Sequence, residues 1–314
     1  MEPIKVAVVG VGHLGSIHAR IYSQLESAQL VAVCDLRPEQ AKTLARQYHC
    51  KAVKDFQELI GQVDAVSVAV PTQEHFRIAQ AFLAKGIHTL VEKPITNTVE
   101  QADQLLGISA KTGAILQVGH VERFNAAFRR VRDSLSNPRF IETHRLAAFQ
   151  PRGTEVGVVL DLMIHDIDIL LGLVKSPVKR VDAVGVRVLT SSEDIANARI
   201  AFQNGAVANL TASRISNKAM RKFRIFQADT YVSMDLLKQR VEIFRHLPGT
   251  KKGRIGRITH ERLRIAPEEP LKAELAAFLE AIQHKRPPPV SGQEARDALD
   301  LALQITRLVH QNHP

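Results

Sequence analysis

Three side chains in this sequence have types and spacing suited to acid–base chemistry on a hydroxyl group. Lys93 sits in Glu92-Lys93-Pro94, directly after the apolar run His88–Val91. A lysine at a strand end beside a ligand cleft offers three donors, enough to polarise a hydroxyl or a carbonyl. Asp161 and His165 stand four residues apart, so a helix presents them on one face. A carboxylate and an imidazole so placed bind and deprotonate a hydroxyl, with histidine as the natural base near neutral pH. The plain alternative is a helix-start aspartate and a surface histidine. A metal site would have to draw on Asp161, His165, Asp166 and Asp168. Asp166 points to a different side, and Asp168 lies two turns, about 10 Å, further along. No metal is expected.

A second pattern speaks for a dinucleotide. Gly10-Val11-Gly12-His13-Leu14-Gly15 follows the β-branched run Ile4–Val9 and opens a helical stretch. Gly10 permits a tight turn, Gly12 lets the backbone approach a pyrophosphate, and Gly15 lets helix and strand pack closely. The helix N-terminus supplies N–H groups and partial positive charge to phosphates. Asp35 ends the next apolar run, where a carboxylate accepts from ribose hydroxyls and repels a 2′-phosphate. NAD is therefore expected. Arg37, two residues on, could turn toward a 2′-phosphate, which keeps NADP open. His13 faces either the cofactor cleft or solvent.

The elements that must position these groups come in two styles. Through residue 120, short apolar strands alternate with helices: strands over Ile4–Val9, Leu30–Cys34, Ala52–Val53, Ala65–Val70, His88–Val91 and Ile115–Val118, with helices between them. Alternation of this kind predicts a doubly wound parallel sheet. Ligands bind outside the carboxyl ends of such strands, where Val70-Pro71-Thr72 with His75, Glu92-Lys93-Pro94 and Gly119-His120 fall. Beyond that come helices over Asn125–Leu135 and Leu160–Leu171, a strand over Arg139–Ala148, and closely spaced strand-like runs from Val178 to Phe244. Asn204-Gly205 signals a hairpin. Amphipathic helices over Glu268–His284 and Gly292–Gln311 close the chain. The fold class read here is α/β: an N-terminal Rossmann domain over 1–122, then an α/β domain over 123–314 with a mostly antiparallel open sheet.

Composition narrows the function classes. The 314 residues are 45% hydrophobic and 24% charged, which is ordinary globular material sized for two domains. No apolar run reaches the roughly 20 residues of a membrane span, and the N-terminus lacks a secretion-signal pattern, so a cytoplasmic protein without membrane contact is expected. Cys34 and Cys50 have no metal spacing. The net charge of +10 is compatible with a nucleic-acid or an acidic small-molecule partner. No nucleic-acid motif accompanies it, and the densest basic group, Lys251 to Arg257, reads as a solvated loop or hairpin. An anionic substrate such as a nucleotide sugar accounts for the charge.

Taken in order, the glycine fingerprint, Asp35, Pro71-Thr72 with His75, Glu92-Lys93-Pro94, and Asp161 with His165 resemble the glucose–fructose oxidoreductase / inositol dehydrogenase (Gfo/Idh/MocA) family over nearly the whole chain. The resemblance implies an NAD(P)-dependent oxidoreductase acting on CH–OH groups. His165 would be the acid/base, Lys93 the hydroxyl and nicotinamide positioner, and Asp161 the residue that orients substrate and tunes the imidazole. Val70, Pro71, Thr72, His75, Glu92 and Lys93 would border the cofactor along with residues 10–15, Asp35 and Arg37. It further implies a homodimer or homotetramer formed through the C-terminal sheet. Within the family, residues 119–125 and 209–214 look most like the branch acting on UDP-N-acetylglucosamine, whose product, a 3-keto sugar, is later aminated for lipid A or other surface glycans. His120, Arg123, Asn125, Arg152 and Arg214 are the substrate-side candidates, the arginines for a diphosphate. Gln227-Ala228-Asp229-Thr230 replaces a Gly-containing turn of many relatives and leaves that hairpin's geometry open. Two rivals stand beside this reading: a dehydrogenase of a free sugar or cyclitol, and a non-catalytic NAD(P)-binding sensor.

Overall fold

The computed structural model describes residues 2–150, 156–247 and 256–312. Its first unit comprises residues 1–121 and 269–299, and its second residues 122–268 and 300–314.

The first unit is built on parallel strands β1 (Ile4–Val9), β2 (Ala28–Cys34), β3 (Lys51–Val53), β4 (Ala65–Val68), β5 (His88–Glu92) and β6 (Leu116–Gly119), in the order β3-β2-β1-β4-β5-β6. The reversal of strand order between β1 and β4, which run parallel, makes the switch point at which ligands bind in such sheets. Helices α1 (His13–Tyr22), α2 (Pro38–Tyr48), α3 (Thr72–Leu83) and α4 (Val99–Thr112) form the crossovers. Strands β1 and β4 are buried on nearly every residue, as their unbroken apolar runs require of a sheet covered on both faces. Pro38 opens α2 at a position where its missing N–H costs nothing, and Gly113 closes α4 with φ +74°.

The second unit carries α5 (Ala126–Val131), strand β7 (Phe140–Leu146), helix α6 (Ile164–Val174), and strands β8 (Val178–Val186), β9 (Ile195–Phe202), β10 (Val207–Ser213), β11 (Met220–Phe226), β12 (Thr230–Asp235), β13 (Arg240–Leu247) and β14 (Arg257–Leu263). The sheet order is β14-β13-β12-β11-β7-β10-β9-β8, antiparallel except for the parallel pair β7 and β10. Asn204-Gly205 makes the β9–β10 hairpin, with Gly205 at φ +84°. The Gln227–Thr230 segment forms a tight hairpin too, closed by the Gln227 N–H on the Thr230 carbonyl at 2.8 Å. One face bears a row of rings in cross-strand register: Phe140, Phe226, Tyr231, Phe244 and His260, with successive centroids 5.6, 4.5, 5.3 and 4.2 Å apart. Such pairs add to sheet stability beyond their buried area.

Three expectations are corrected. Residues 269–299 do not belong with the second domain. Helix α7 (Pro270–Gln283) places Leu271, Leu275, Phe278 and Leu279 in the core that Val6, Val8, Ile21 and Tyr22 also form. Segment 290–291 pairs with the edge of β6, the Val118 N–H donating to the Val290 carbonyl. Burial of an apolar face decides this grouping, and chain order does not. The helix expected over Asn125–Leu135 is six residues long and ends in a 3-10 turn, Arg132–Ser134. The strand-like runs were expected to end at Phe244, yet β13 is followed by a further antiparallel strand, β14, which opens at Arg257, the last residue of the basic group read as a loop or hairpin; residues 251–255 of that group lie outside the described residues. Helix α8 (Gly292–Asn312) follows the sequence pattern closely.

Phe278 is fully buried, so Phe278→Ala leaves a cavity among the α1 and α7 side chains. It should lower unfolding free energy by about 3–5 kcal/mol, read from the urea midpoint.

Candidate active site

The nucleotide cradle lies in the first unit. Gly10 has φ +83°, and a Cβ there would lie 2.6 Å from the Ala69 carbonyl oxygen. A Cβ on Gly15 would overlap the Gly10 carbonyl oxygen, so this glycine sets how closely α1 packs on β1. Gly12 differs: a Cβ on it meets only an Arg37 nitrogen, at 3.9 Å. Protein packing does not demand a glycine there, whereas a pyrophosphate on the helix end does. No side chain caps α1 at Gly12, which leaves its first-turn N–H groups for an anion. The residues present fit an NAD pyrophosphate.

The fingerprint's side chains divide. Val11 is buried in the core, while His13 and Leu14 are exposed. Asp35, only 8% exposed, accepts from the Val11 N–H at 2.9 Å and from the Arg37 N–H at 2.9 Å. The Arg37 guanidinium grips the same carboxylate at 3.1 and 3.4 Å. Burial works to raise the Asp35 pKa, and the Arg37 and Val11 donors outweigh it and bring it below the ordinary value. The Asp35 carboxylate is thereby held ionised, and Arg37 is tied to it. A cleft of about 640 Å³ runs past Gly10, Gly12, Asp35, Val70 and Pro71. Sequence reasoning missed Leu36, Lys54, Phe56 and Arg77, which also line it. Leu36 is 80% exposed, an apolar surface at the mouth of the cleft, and Arg77 lies over the Phe56 ring at 5.0 Å. A leucine directly after the strand-end aspartate was the available signal.

Thr72 opens α3 after Pro71, and no side chain caps that helix. His75 is buried, its Nδ1 2.8 Å from the Pro94 carbonyl oxygen and its Nε2 2.9 Å from that of Val70. It straps the ends of β4 and β5 together, and burial pushes its pKa down. Glu92 is buried and bonded to His18 of α1 at 3.1 Å, while Lys93 is half-buried beside it. His120 is buried.

The Asp161–His165 segment lies in the second unit. It begins as a π-helical turn, Val159–Met163, and becomes α6 at Ile164; a plain α-helix was expected. π-turns inside helices are frequent at functional sites. Both side chains are half-buried. The two acids that follow His165 are anchors. Asp166 takes a bidentate grip from Arg145 of β7, at 2.7 and 3.1 Å. Arg145 also donates to Glu122 at 2.9 Å, which in turn accepts from Arg221 at 2.9 Å. Burial raises the Asp166 pKa, while the two arginines hold Glu122 below the ordinary value against burial. Asp168 is held by Arg123, with Nε–Oδ2 at 2.6 Å and Nη2–Oδ1 at 2.9 Å.

The side chains expected on the substrate side have protein partners of their own. Arg123 is committed to Asp168, and a diphosphate would have to displace a buried carboxylate. Asn125 is the N-cap of α5: its Oδ1 accepts from the Ala127 N–H, and its Nδ2 donates to Glu122 and the Leu236 carbonyl. Arg214, 5% exposed, donates to the Val156 carbonyl at 2.6 Å, holding the chain just before the π-turn. Arg152 lies outside the described residues. At the same helix start, the Glu193 carboxylate receives the Val159 N–H at 3.4 Å and stands 3.3 Å from His310. Neighbouring Asp194 collects the N–H groups of Val188, Leu189 and Thr190. Burial opposes ionisation of Asp194, but these donors bring its pKa down to about 2. Among the described residues, no three metal-ligating side chains gather, and no helix is long and apolar enough to cross a membrane.

Comparison with known proteins places these features in company. The family described as "Oxidoreductase family, NAD-binding Rossmann fold" matches residues 4–120, and the "GFO/IDH/MocA C-terminal domain" matches residues 116–231. The chain is 38% identical to UDP-N-acetylglucosamine 3-dehydrogenase of Acidithiobacillus ferrooxidans, over 97% of each chain. It is 26% identical to myo-inositol 2-dehydrogenase of Thermotoga maritima, over 94% of this chain and 93% of that one. A solved structure of the Acidithiobacillus enzyme superposes with a TM-score of 0.93, covering 99% of both chains.

Gly12→Ala should fold with an unchanged melting temperature and lose NAD affinity, whereas Gly15→Ala should lower the melting temperature as well; calorimetry and cofactor titration separate the two. Because the folded Asp194 pKa lies below its unfolded value of about 3.9, its contribution to stability is present above that pH and is lost as pH falls toward 2. Asp194→Asn should flatten the acid limb of the stability–pH curve between about pH 4 and 2, measured by denaturant unfolding.

Proposed function

Because the chain belongs to the Gfo/Idh/MocA family of NAD-binding oxidoreductases, we propose that it oxidises the 3-hydroxyl of UDP-N-acetylglucosamine to a ketone. The full-length likeness to a UDP-N-acetylglucosamine 3-dehydrogenase carries this reading. NAD⁺, when bound, supplies the hydride acceptor. His165 takes the hydroxyl proton, and Asp161 orients the substrate and tunes the imidazole. Lys93 stabilises the charge that develops on the substrate oxygen. The anchored acids at 166 and 168 fix the helix from which His165 acts. We place the product ahead of an amination step in lipid A or other surface-glycan synthesis. We assign the enzyme to the cytoplasm, a compartment suited to the free thiols of Cys34 and Cys50. We assign the ringed face of the eight-stranded sheet to self-association as a dimer or tetramer.

One observation favours a second reading, oxidation of a free sugar or cyclitol. Arg123 and Arg214, expected for a diphosphate, are bound to Asp168 and Val156, and a substrate without phosphates asks nothing of them. A non-catalytic sensor has no need of Lys93, Asp161 and His165 together.

Reduced-nicotinamide absorbance with NAD⁺ and UDP-N-acetylglucosamine, with and without 2-oxoglutarate as reoxidant, tests the proposal. Keto-sugar formation is expected. No product, with NAD binding intact, transfers the assignment to free sugars and cyclitols. Lys93→Ala and His165→Ala should each lower turnover about 10²–10⁴-fold while NAD still binds, and full turnover in both would remove them from the mechanism.

A further inference from the structure

Glu92 is an unusual residue with which to end a buried strand. Its carboxylate is 7% exposed and lies at the carboxyl end of β5, next to Lys93. Three features hold it in place. His18 Nε2, from α1, stands 3.1 Å from Oε1. The Lys93 N–H donates to Oε2 at 3.2 Å. Gly119, ending β6, leaves room for it, since a Cβ there would lie 2.8 Å from the carboxyl group. His18 is itself fully buried, and its Nδ1 has no hydrogen-bond partner among the described residues. A buried carboxylate secured by one imidazole and one N–H is costly, and a neutral side chain would fill the same space. Burial works to raise its pKa, yet the His18 bond and the His18 and Lys93 charges bring it below the ordinary value. The charge is kept.

Its place in the sheet says what the charge acts on. Asp35, directly after β2, is the carboxylate expected at the adenosine ribose, and the glycine cradle expected for the pyrophosphate follows β1. In the strand order β3-β2-β1-β4-β5-β6, the ends of β5 and β6 lie across the switch point, on the side that receives the other half of a dinucleotide. We propose that the Glu92 carboxylate, held by His18 and admitted by Gly119, sets the redox preference of the cofactor site by favouring the cationic oxidised nicotinamide over the neutral reduced one. His18 and Lys93 are the positive groups against it, and their charges act in the opposite sense when protonated. Glu92 supplies the negative member that offsets them. The inference rests on nicotinamide binding and not on the sugar assigned above, so it stands whichever substrate is oxidised.

The test uses the full-length protein without substrate. NADH affinity is read from its fluorescence, and NAD⁺ affinity by competition against it, in wild type, Glu92→Gln and Gly119→Ala. Glu92→Gln removes the charge in nearly the same shape. It should lower the ratio Kd(NADH)/Kd(NAD⁺) about tenfold, the order of a charge interaction in a partly screened site. Tenfold corresponds to about 30 mV for a two-electron couple. Gly119→Ala keeps the charge but pushes the carboxylate aside, and should lower the ratio by less. A Glu92→Gln protein that weakens both forms equally, leaves the ratio at the wild-type value or raises it overturns the proposal. That result would make Glu92 a structural pair for His18 only. Thermal melts establish that each variant is folded, and Gly119→Ala decides by the same ratio if Glu92→Gln is not.

Discussion

The second unit depends on one buried guanidinium. Arg145 rises from the middle of the sheet and binds Asp166 on one side and Glu122 on the other. Asp166 adjoins His165, and Glu122 follows directly after the first segment of the nucleotide unit, which ends at Val121. A buried pair of this kind gains little net stability over apolar packing, but breaking it by removing one partner costs about 3–5 kcal/mol. Its value here is positional. A helix that reaches its first regular turn only at Ile164 is held at its start by Glu193 and Arg214, and along its length by Arg145 and Arg123. The half-buried Asp161 and His165 thus lie on a segment whose following acids, Asp166 and Asp168, are both held by arginines.

The nucleotide unit reaches the same end by different means. Its constraint is steric: Gly15 lets α1 approach the Gly10 carbonyl, and that approach aims an uncapped helix end at the switch point. Around it the polar groups are pre-engaged. Asp35 is oriented by Val11 and Arg37, and His75 by two carbonyl groups. A site oriented in this way loses less conformational freedom when it binds. Gly12 is the informative exception, because the space above it answers to the ligand and not to the protein.

Much of this was legible before any coordinates. The parallel sheet followed from unbroken β-branched runs alternating with amphipathic helices, and the β9–β10 hairpin from Asn204-Gly205. What was not legible has a common cause. The partners of Arg123, Asn125 and Arg214 were hidden because sequence shows that a side chain is polar, and not which carboxylate or carbonyl far along the chain it meets. Strand β14 was hidden because its exposed residues follow a run of lysine and arginine, and an edge strand needs few apolar positions. The π-turn left no mark, since an i,i+4 pair shares a face in either geometry.

What the sequence determined by itself was local: strand and helix periods, the glycines that a turn or a close approach requires, and the order of Lys93, Asp161 and His165. Those properties are set by short-range sterics and by the side chain's own chemistry. Tertiary structure alone decided that α7 belongs with the nucleotide unit, that Arg145 is fully buried between two acids, and that Glu92 is buried as an ionised group against His18. An amphipathic helix specifies that it must bury a face, but not against which sheet. A charged side chain specifies its need for a partner, and only the packed fold brings that partner within reach.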